Sequence, residues 1–424
     1  MKIERVMERV YDRGRLHRAW QSVKSNAGAA GIDQMTVEAF AERAEEYLDL
    51  VHEKLRAGSY RFKPVRRVEI PKPGSTKKRK LGIPVIMDRI VSQSLHTVLM
   101  ELYHGDFTAS NFGFLRGKSQ HQAIEHMRQS VVEGYEWCAS IDLQGFFDEI
   151  PHDLILRLIR RKIRDERVVT LIARALKAGV KVDGMIEKTT KGCPQGSPAS
   201  PTLSNIVLNE LDQELERRGH RYCRWADDFV ILLRSERAAR RVMASMTDFL
   251  EETLGLPVNR DKSRVAPVKD VEFLGFQILR GKIRISTEAR QRFKNRVRDL
   301  TRRNNGLSMI QVIRDLSEYL RGWVNYFRIQ EFRKVFKDLD GFIRSRLRSM
   351  QLKKWKKPGK LQRMMIRAGY PVDEAKRTWV RMNKWQSVAR PPVRFVLNLA
   401  WFRRRSLLFL DDFTQRNLKL AFAR

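Results

Sequence analysis

The sequence predicts an α+β fold with an all-helical region appended to it. Two patterns carry this expectation. Up to about residue 285, short strand-like apolar runs recur between amphipathic stretches. Beyond that point only the three-and-four spacing of helices remains. At 424 residues and 42% hydrophobic content the chain can build two or three domains, each with a core.

The elements follow in order. Residues 1–60 read as helical, and "PVRRVEI" (64–70) alternates like a strand. "PKPGSTKKRKLGIP" (71–84) reads as a basic hairpin tip, its Pro and Gly marking the turn. Residues 85–103 and 118–133 are helical in pattern. "WCASIDLQGFFDEI" (137–150) is strand-like and ends in acids, and 152–178 reads as one amphipathic helix. "KGCPQGSPASPTLSNIVLNELDQELERRG" (191–219) is a Gly/Pro loop feeding a long helix, and "RYCRWADDFVILLR" (221–234) is strand, turn, strand. A helix at 239–256 and a hairpin at 271–285 complete the mixed region. In the helical region, Ser308 and Gln311 form an S-x-x-Q capping box. The helix behind them lines up Ile313, Leu316, Leu320, Trp323 and Phe327. An Arg-rich helix over 333–352 ends at "KKWKKPGK", and Pro391-Pro392 mark a break before a short basic tail. A domain boundary is expected near residue 280.

Charge narrows the class of partner. The chain has 84 Lys and Arg against 49 Asp and Glu, a net +35. Residues 281–424 hold 37 of the bases and 11 of the acids, so this third of the chain carries +26. Such a surplus repels itself unless it meets a polyanion: nucleic acid first, an anionic membrane surface second. The three cysteines, Cys138, Cys193 and Cys223, form no C-x-x-C pair, which argues against a zinc finger or a disulfide framework. No apolar run reaches the ~18 residues of a membrane span, and "MKIERVMERV" lacks a signal-peptide core. A soluble protein of the reducing cytoplasm is expected.

The informative stretch is "RWADDFVILL" (224–233), where Asp227 and Asp228 adjoin inside an apolar hairpin. Two carboxylates held together in a dry site repel, and one would stay protonated. A divalent cation removes the conflict. Asp142 ends a strand-like run 85 residues earlier than Asp227. A strand-borne Asp beside a hairpin-borne pair is how a two-metal phosphoryl-transfer site is built, with ions roughly 3.5–4 Å apart. Oxygen ligands without a His/Cys cluster favour Mg²⁺ over zinc, and Mn²⁺ could substitute.

These residues also carry a resemblance. Trp225–Asp228 resembles the tyrosine-x-Asp-Asp box of reverse transcriptases, "PQGSPASPTLSN" (194–205) the proline-glutamine-glycine motif before the palm helix, and "FLGF" (273–276) the primer-grip hairpin. "EYLRGWVNYF" (318–327) and "FIRSRLRSMQLKKWKKP" (342–358) look like the thumb, or maturase, region of group II intron-encoded proteins. The motifs run in order across roughly residues 30–358.

The resemblance implies a right-hand polymerase: an N-terminal extension and fingers over 1–136, a palm with part of the fingers over 137–280, a helical thumb or maturase domain over 281–370, and a basic C-terminal segment over 371–424. It implies that Asp142, Asp227 and Asp228 hold two Mg²⁺ ions and that Lys262, in "VNRDKS", protonates the leaving pyrophosphate. Lys72 and Arg79 would grip the incoming triphosphate, and Gln195 and Gly196 would line the nucleotide pocket. Phe146 and Phe147 would adjoin that pocket. Phe147, five positions after Asp142, is preferred as the aromatic that excludes a ribose 2′-OH. Trp225, Ala226, Leu274 and Gly275 would meet primer and template. Three departures stand out: Trp225 replaces the tyrosine, Ser197 the second glycine, and "NFGFLRGKSQH" (111–121) the usual phenylalanine-arginine-proline-glycine-arginine run. No Cys/His-rich endonuclease is expected.

The expected function is RNA-directed DNA synthesis from dNTPs on an RNA, and also a DNA, template with a DNA or RNA primer. The expected partner is a group II intron RNA whose splicing it assists, and the expected setting is the bacterial cytoplasm, near the nucleoid, with no membrane. Two alternatives stand beside it: a domesticated enzyme of DNA repair or phage defence, and a non-catalytic RNA-binding splicing cofactor.

Overall fold

The computed structural model of the protein describes residues 2–71, 78–182, 185–187, 189–378, 380 and 385–412. It divides into two compact units, Met1–Phe273 and Leu274–Arg424. The fold is α+β, as expected.

Ten strands are present among the described residues: β1 (Val65–Pro71), β2 (Lys78–Ile83), β3 (Trp137–Ile141), β4 (Val180–Val182), β5 (Met185–Glu187), β6 (Arg221–Trp225), β7 (Asp228–Leu233), β8 (Arg264–Pro267), β9 (Phe276–Leu279) and β10 (Lys282–Ile285). In the first unit they form two four-stranded sheets, ordered β2-β1-β4-β5 and β6-β7-β3-β8. The second is antiparallel throughout. The first is not, since β1 and β4 run parallel. The short strands β4 and β5 have no alternation long enough to read in the sequence.

The β6-β7-β3-β8 sheet positions the site. Along β7, Phe229, Val230, Ile231 and Leu232 are all fully buried. Successive side chains point to opposite faces, so both faces are covered, and each large side chain contributes about 1.5–3 kcal/mol by burial. Helices Gln120–Val132 and Glu236–Asp248 pack against the sheet.

Several local expectations need correction. The strand-like run 137–150 is a strand only to Ile141; Phe146–Glu149 form a short helix after Gly145, whose φ of 58° turns the chain. The apolar pattern of 152–178 spans two helices, His152–Lys162 and Glu166–Leu176. Asp165 breaks them apart by capping the second and accepting from the Met7 amide at 2.9 Å.

The second unit opens on the β9–β10 hairpin and is otherwise helical among the described residues. Helices Thr287–Leu300, Met309–Phe327 and Arg333–Trp355 meet in an aromatic cluster: Trp323 lies 4.3 Å from Phe293 and 4.6 Å from Phe327, ring centre to ring centre. The capping box is half made. Ser308 Oγ accepts from the Gln311 amide at 3.1 Å, but the Gln311 side chain turns forward to Asp315. Pro391 starts a helix, Pro391–Val396, rather than breaking one, consistent with its fixed φ at a first helical turn. Nor is the region a loose tail: Val393, Trp401, Phe402 and Leu410 are buried, and Asp340 accepts from the amides of Leu410 and Asp411. Among the described residues, no helix is long and apolar enough to cross a membrane.

Candidate active site

The site is built where β3 ends beside the β6–β7 turn. Ile141 pairs with Phe229, so the next antiparallel step sets Asp142 beside Asp228. Trp225 pairs with Asp228 across the turn, which leaves Ala226 and Asp227 as its two residues. Two-residue hairpin turns need a positive φ, usually supplied by Gly. Here Ala226 supplies it, at 58°, and is buried. Trp225 is half-buried.

The three carboxylates feel one another. Asp228 is open to solvent on one side but crowded by protein elsewhere, and its pKa is pushed up to about 7. Loss of surrounding water is the first cause; the charges of Asp227, Asp142 and Glu272 add to it. Glu272 is a fourth acid that the sequence pattern did not single out.

Asp142 is held at its backbone by the segment that follows the 236–253 helix. Its amide donates to Ser263 Oγ at 3.0 Å, and its carbonyl accepts from the Asn259 amide at 2.8 Å. The same segment brings Lys262 Nζ to 3.4 Å from Asp142 Oδ2. Among the described residues, no group of three His, Cys, Asp or Glu side chains stands ready-made as a metal cage. The donor set nonetheless suits a hard divalent cation, being all carboxylate.

The residues expected around a nucleotide divide as follows. Phe146 is buried, at 3% exposure, and meets Phe147 edge to face at 5.3 Å, while Phe147 is half-buried. Gln195 and Gly196 join the β2-β1-β4-β5 sheet through the backbone: the Gly82 amide donates to the Gln195 carbonyl at 2.7 Å. Gly196 has φ 122°, and a Cβ there would lie 2.3 Å from the Gly82 carbonyl oxygen, so only glycine fits. A cavity of about 320 Å³ adjoins this junction, lined in part by Arg67, Lys80, Lys191 and Gln195. Arg79 lies exposed on β2, opposite Ile70. Lys72 lies outside the described residues. Leu274 and Gly275 open the second unit in left-handed conformations, φ 51° and 79°. Tyr326 Oη donates to the Leu274 carbonyl at 2.9 Å, and a Cβ on Gly275 would press the Phe327 ring at 3.2 Å.

Sequence reasoning missed the support behind the turn. Arg224 and Asp212 pair with neither side chain exposed, and Asn205 joins them. A signal existed: Arg224 is a charged residue flanked by strand residues, which implies a buried partner.

Comparison with known proteins agrees with this architecture. The family model "Reverse transcriptase (RNA-dependent DNA polymerase)" matches residues 70–278, and "Group II intron, maturase-specific domain" matches residues 290–369. Protein YkfC of Escherichia coli (strain K12) is 30% identical over 348 residues, covering 71% of this chain and 91% of that protein. The group II intron-encoded protein LtrA of Lactococcus lactis subsp. cremoris is 36% identical over 197 residues, which cover 46% of this chain but only 32% of LtrA. A chain of a solved "Partial Cas6-RT-Cas1--Cas2 complex" is 21% identical, covering 58% of this chain and 42% of that one, with a TM-score of 0.35, too slight to carry an argument. With both families matched in sequence and the relative YkfC covered almost end to end, the chain belongs to the group II intron-type reverse transcriptases, RNA-directed DNA polymerases that carry a maturase-specific domain.

Proposed function

We propose that the protein extends a primer 3′-OH with dNTPs on an RNA template, and also on DNA, using Asp142, Asp227 and Asp228 at the β3 and β6–β7 ends. The observation that carries this reading is the meeting of Asp142 with both the Asp227–Asp228 turn and Lys262. The three carboxylates would hold two Mg²⁺ ions, or Mn²⁺, which when bound supply positive charge against the triphosphate and leaving group. The primer 3′-OH gives up its proton to solvent as its oxygen attacks the α-phosphorus, and the bond to pyrophosphate breaks. Lys262, exposed and beside Asp142, gives its proton to that pyrophosphate. Arg79, with Lys72, binds the triphosphate. Phe147 bounds the sugar, since Phe146 is occupied in the core.

The basic second unit binds RNA by its phosphates, and a group II intron RNA, whose splicing the protein assists, is the partner this reading favours. The maturase-specific match within that unit supports it. The test of polymerisation is Asp227→Ala assayed on poly(rA)/oligo(dT) with Mg²⁺. The rate should fall by orders of magnitude. Extension near the wild-type rate would remove the assignment.

A further inference from the structure

We propose that Arg224 is the positioning residue of the catalytic turn: locked by Asp212 and Asn205, its guanidinium holds the Ala226 carbonyl and so directs Asp227 and Asp228 toward the substrate. This rests on the polymerase reading above and adds to it a buried brace that never meets substrate.

Asn205 and Asp212 lie seven residues apart on helix Ser200–Arg217, two turns along one face. Arg224 Nε donates to Asp212 Oδ1 at 2.8 Å, and Arg224 Nη2 donates to Asp212 Oδ2. Arg224 Nη1 donates to Asn205 Oδ1 at 2.9 Å and to the Ala226 carbonyl at 3.0 Å. The Asn205 amide then donates to the Gly113 carbonyl at 2.8 Å. The Arg224 fork is thereby held by Asp212, and Asn205 ties it on to Gly113.

The segment before helix 120–132 closes the brace from outside. Arg224 donates its amide to the Ser110 carbonyl at 3.0 Å and accepts from the Phe112 amide at 2.9 Å. Gly113 presses so close that a Cβ there would stand 2.1 Å from the Ala226 nitrogen. Ala226 is thus gripped at its nitrogen side by Gly113 and at its carbonyl by Arg224, and its φ of 58° is one that alanine rarely adopts.

A brace serving stability alone would be better built from apolar side chains, because burying an ion pair costs as much as it returns. What an arginine adds is a third donor direction, and that donor goes to the residue immediately before Asp227. Arg224 has none of its side chain exposed, so it cannot touch primer, template or nucleotide.

Two variants of the full-length protein test this. Arg224→Met with Asp212→Leu removes both buried charges together and leaves neither orphaned. Arg224→Lys keeps the charge beside Asp212 but replaces the fork with a single ammonium. Thermal melting, Mn²⁺ binding followed by electron paramagnetic resonance without nucleotide, and single-nucleotide extension well below the melting temperature are measured on each. Folded variants with weaker Mn²⁺ binding and a kcat lower by roughly 10- to 100-fold are expected. Folded variants that bind Mn²⁺ and turn over like the wild type overturn the proposal. Failure of both variants to fold also overturns it, since the network would then be a core element first. A wild type that neither binds Mn²⁺ nor extends a primer removes the polymerase reading itself, a result visible before any variant is made.

Discussion

Lys262 Nζ stands 3.4 Å from Asp142 Oδ2, joining the residue after β3 to the loop before β8. Both side chains are substantially exposed, so the pair adds at most about 1 kcal/mol of stability. Its position beside the carboxylates, rather than its strength, gives it meaning.

Lys262→Ala should therefore melt like the wild type and lose activity. As a proton donor Lys262 would contribute roughly 10²- to 10⁴-fold to kcat. Lys262→Arg should rescue poorly, because a guanidinium keeps its proton. A raised KM for dNTP at unchanged kcat would make Lys262 only a binding charge.

Asp228 gives a pH signature. Its folded pKa is raised from 3.8 to about 7. The unfolded chain thus loses this proton first, and the metal-free protein loses stability as pH rises across that interval, with no further loss above it. Asp228→Asn should melt higher than the wild type at pH 8 and equally near pH 4. The open side screens the charge, so the gain should be no more than about 1 kcal/mol. Mg²⁺ should raise the wild-type Tm more than the variant's. An Asn variant less stable at pH 8 would contradict this.

Phe147 should set sugar choice and Phe146 should not. A ring against C2′ discriminates by exclusion, since a clash with the extra oxygen outweighs any attraction that oxygen could offer. Phe147→Ala should raise kcat/KM for an rNTP relative to its dNTP. Phe146→Ala, at a position 3% exposed, should cost about 3–5 kcal/mol of stability and leave selectivity alone. The reverse pattern would move the gate by one residue.

RNA affinity should reside largely in the second unit, whose residues 281–424 carry 37 of the 84 Lys and Arg. On single-stranded RNA each phosphate contact adds roughly 0.7 to the slope of log affinity against log salt. Removing residues 281–424, with circular dichroism to confirm that the remainder folds, should flatten that slope. A truncated chain that binds as tightly and as salt-sensitively as the whole would refute the charge argument.

The α+β class, the hairpin carrying Asp227 and Asp228, the strand leading to Asp142, and the helical nature of the second unit were all legible in the sequence. These are local facts: alternation, turn length and three-and-four spacing are written in neighbouring residues. Where 137–150 changes from strand to helix, and that 152–178 holds two helices, were not legible. There Gly145 supplies a turn and Asp165 a cap to Arg167 that also binds Met7, a partner 158 residues away. Between Phe146 and Phe147 the sequence favoured Phe147 by its place after Asp142, and the tertiary structure adds that the core takes Phe146 and leaves Phe147 half-buried. The support of the β6–β7 turn emerges only in three dimensions. Gly113, the helix bearing Asn205 and Asp212, and Arg224 come from three separate segments, and they act together because a buried guanidinium needs partners for its donors where water cannot reach.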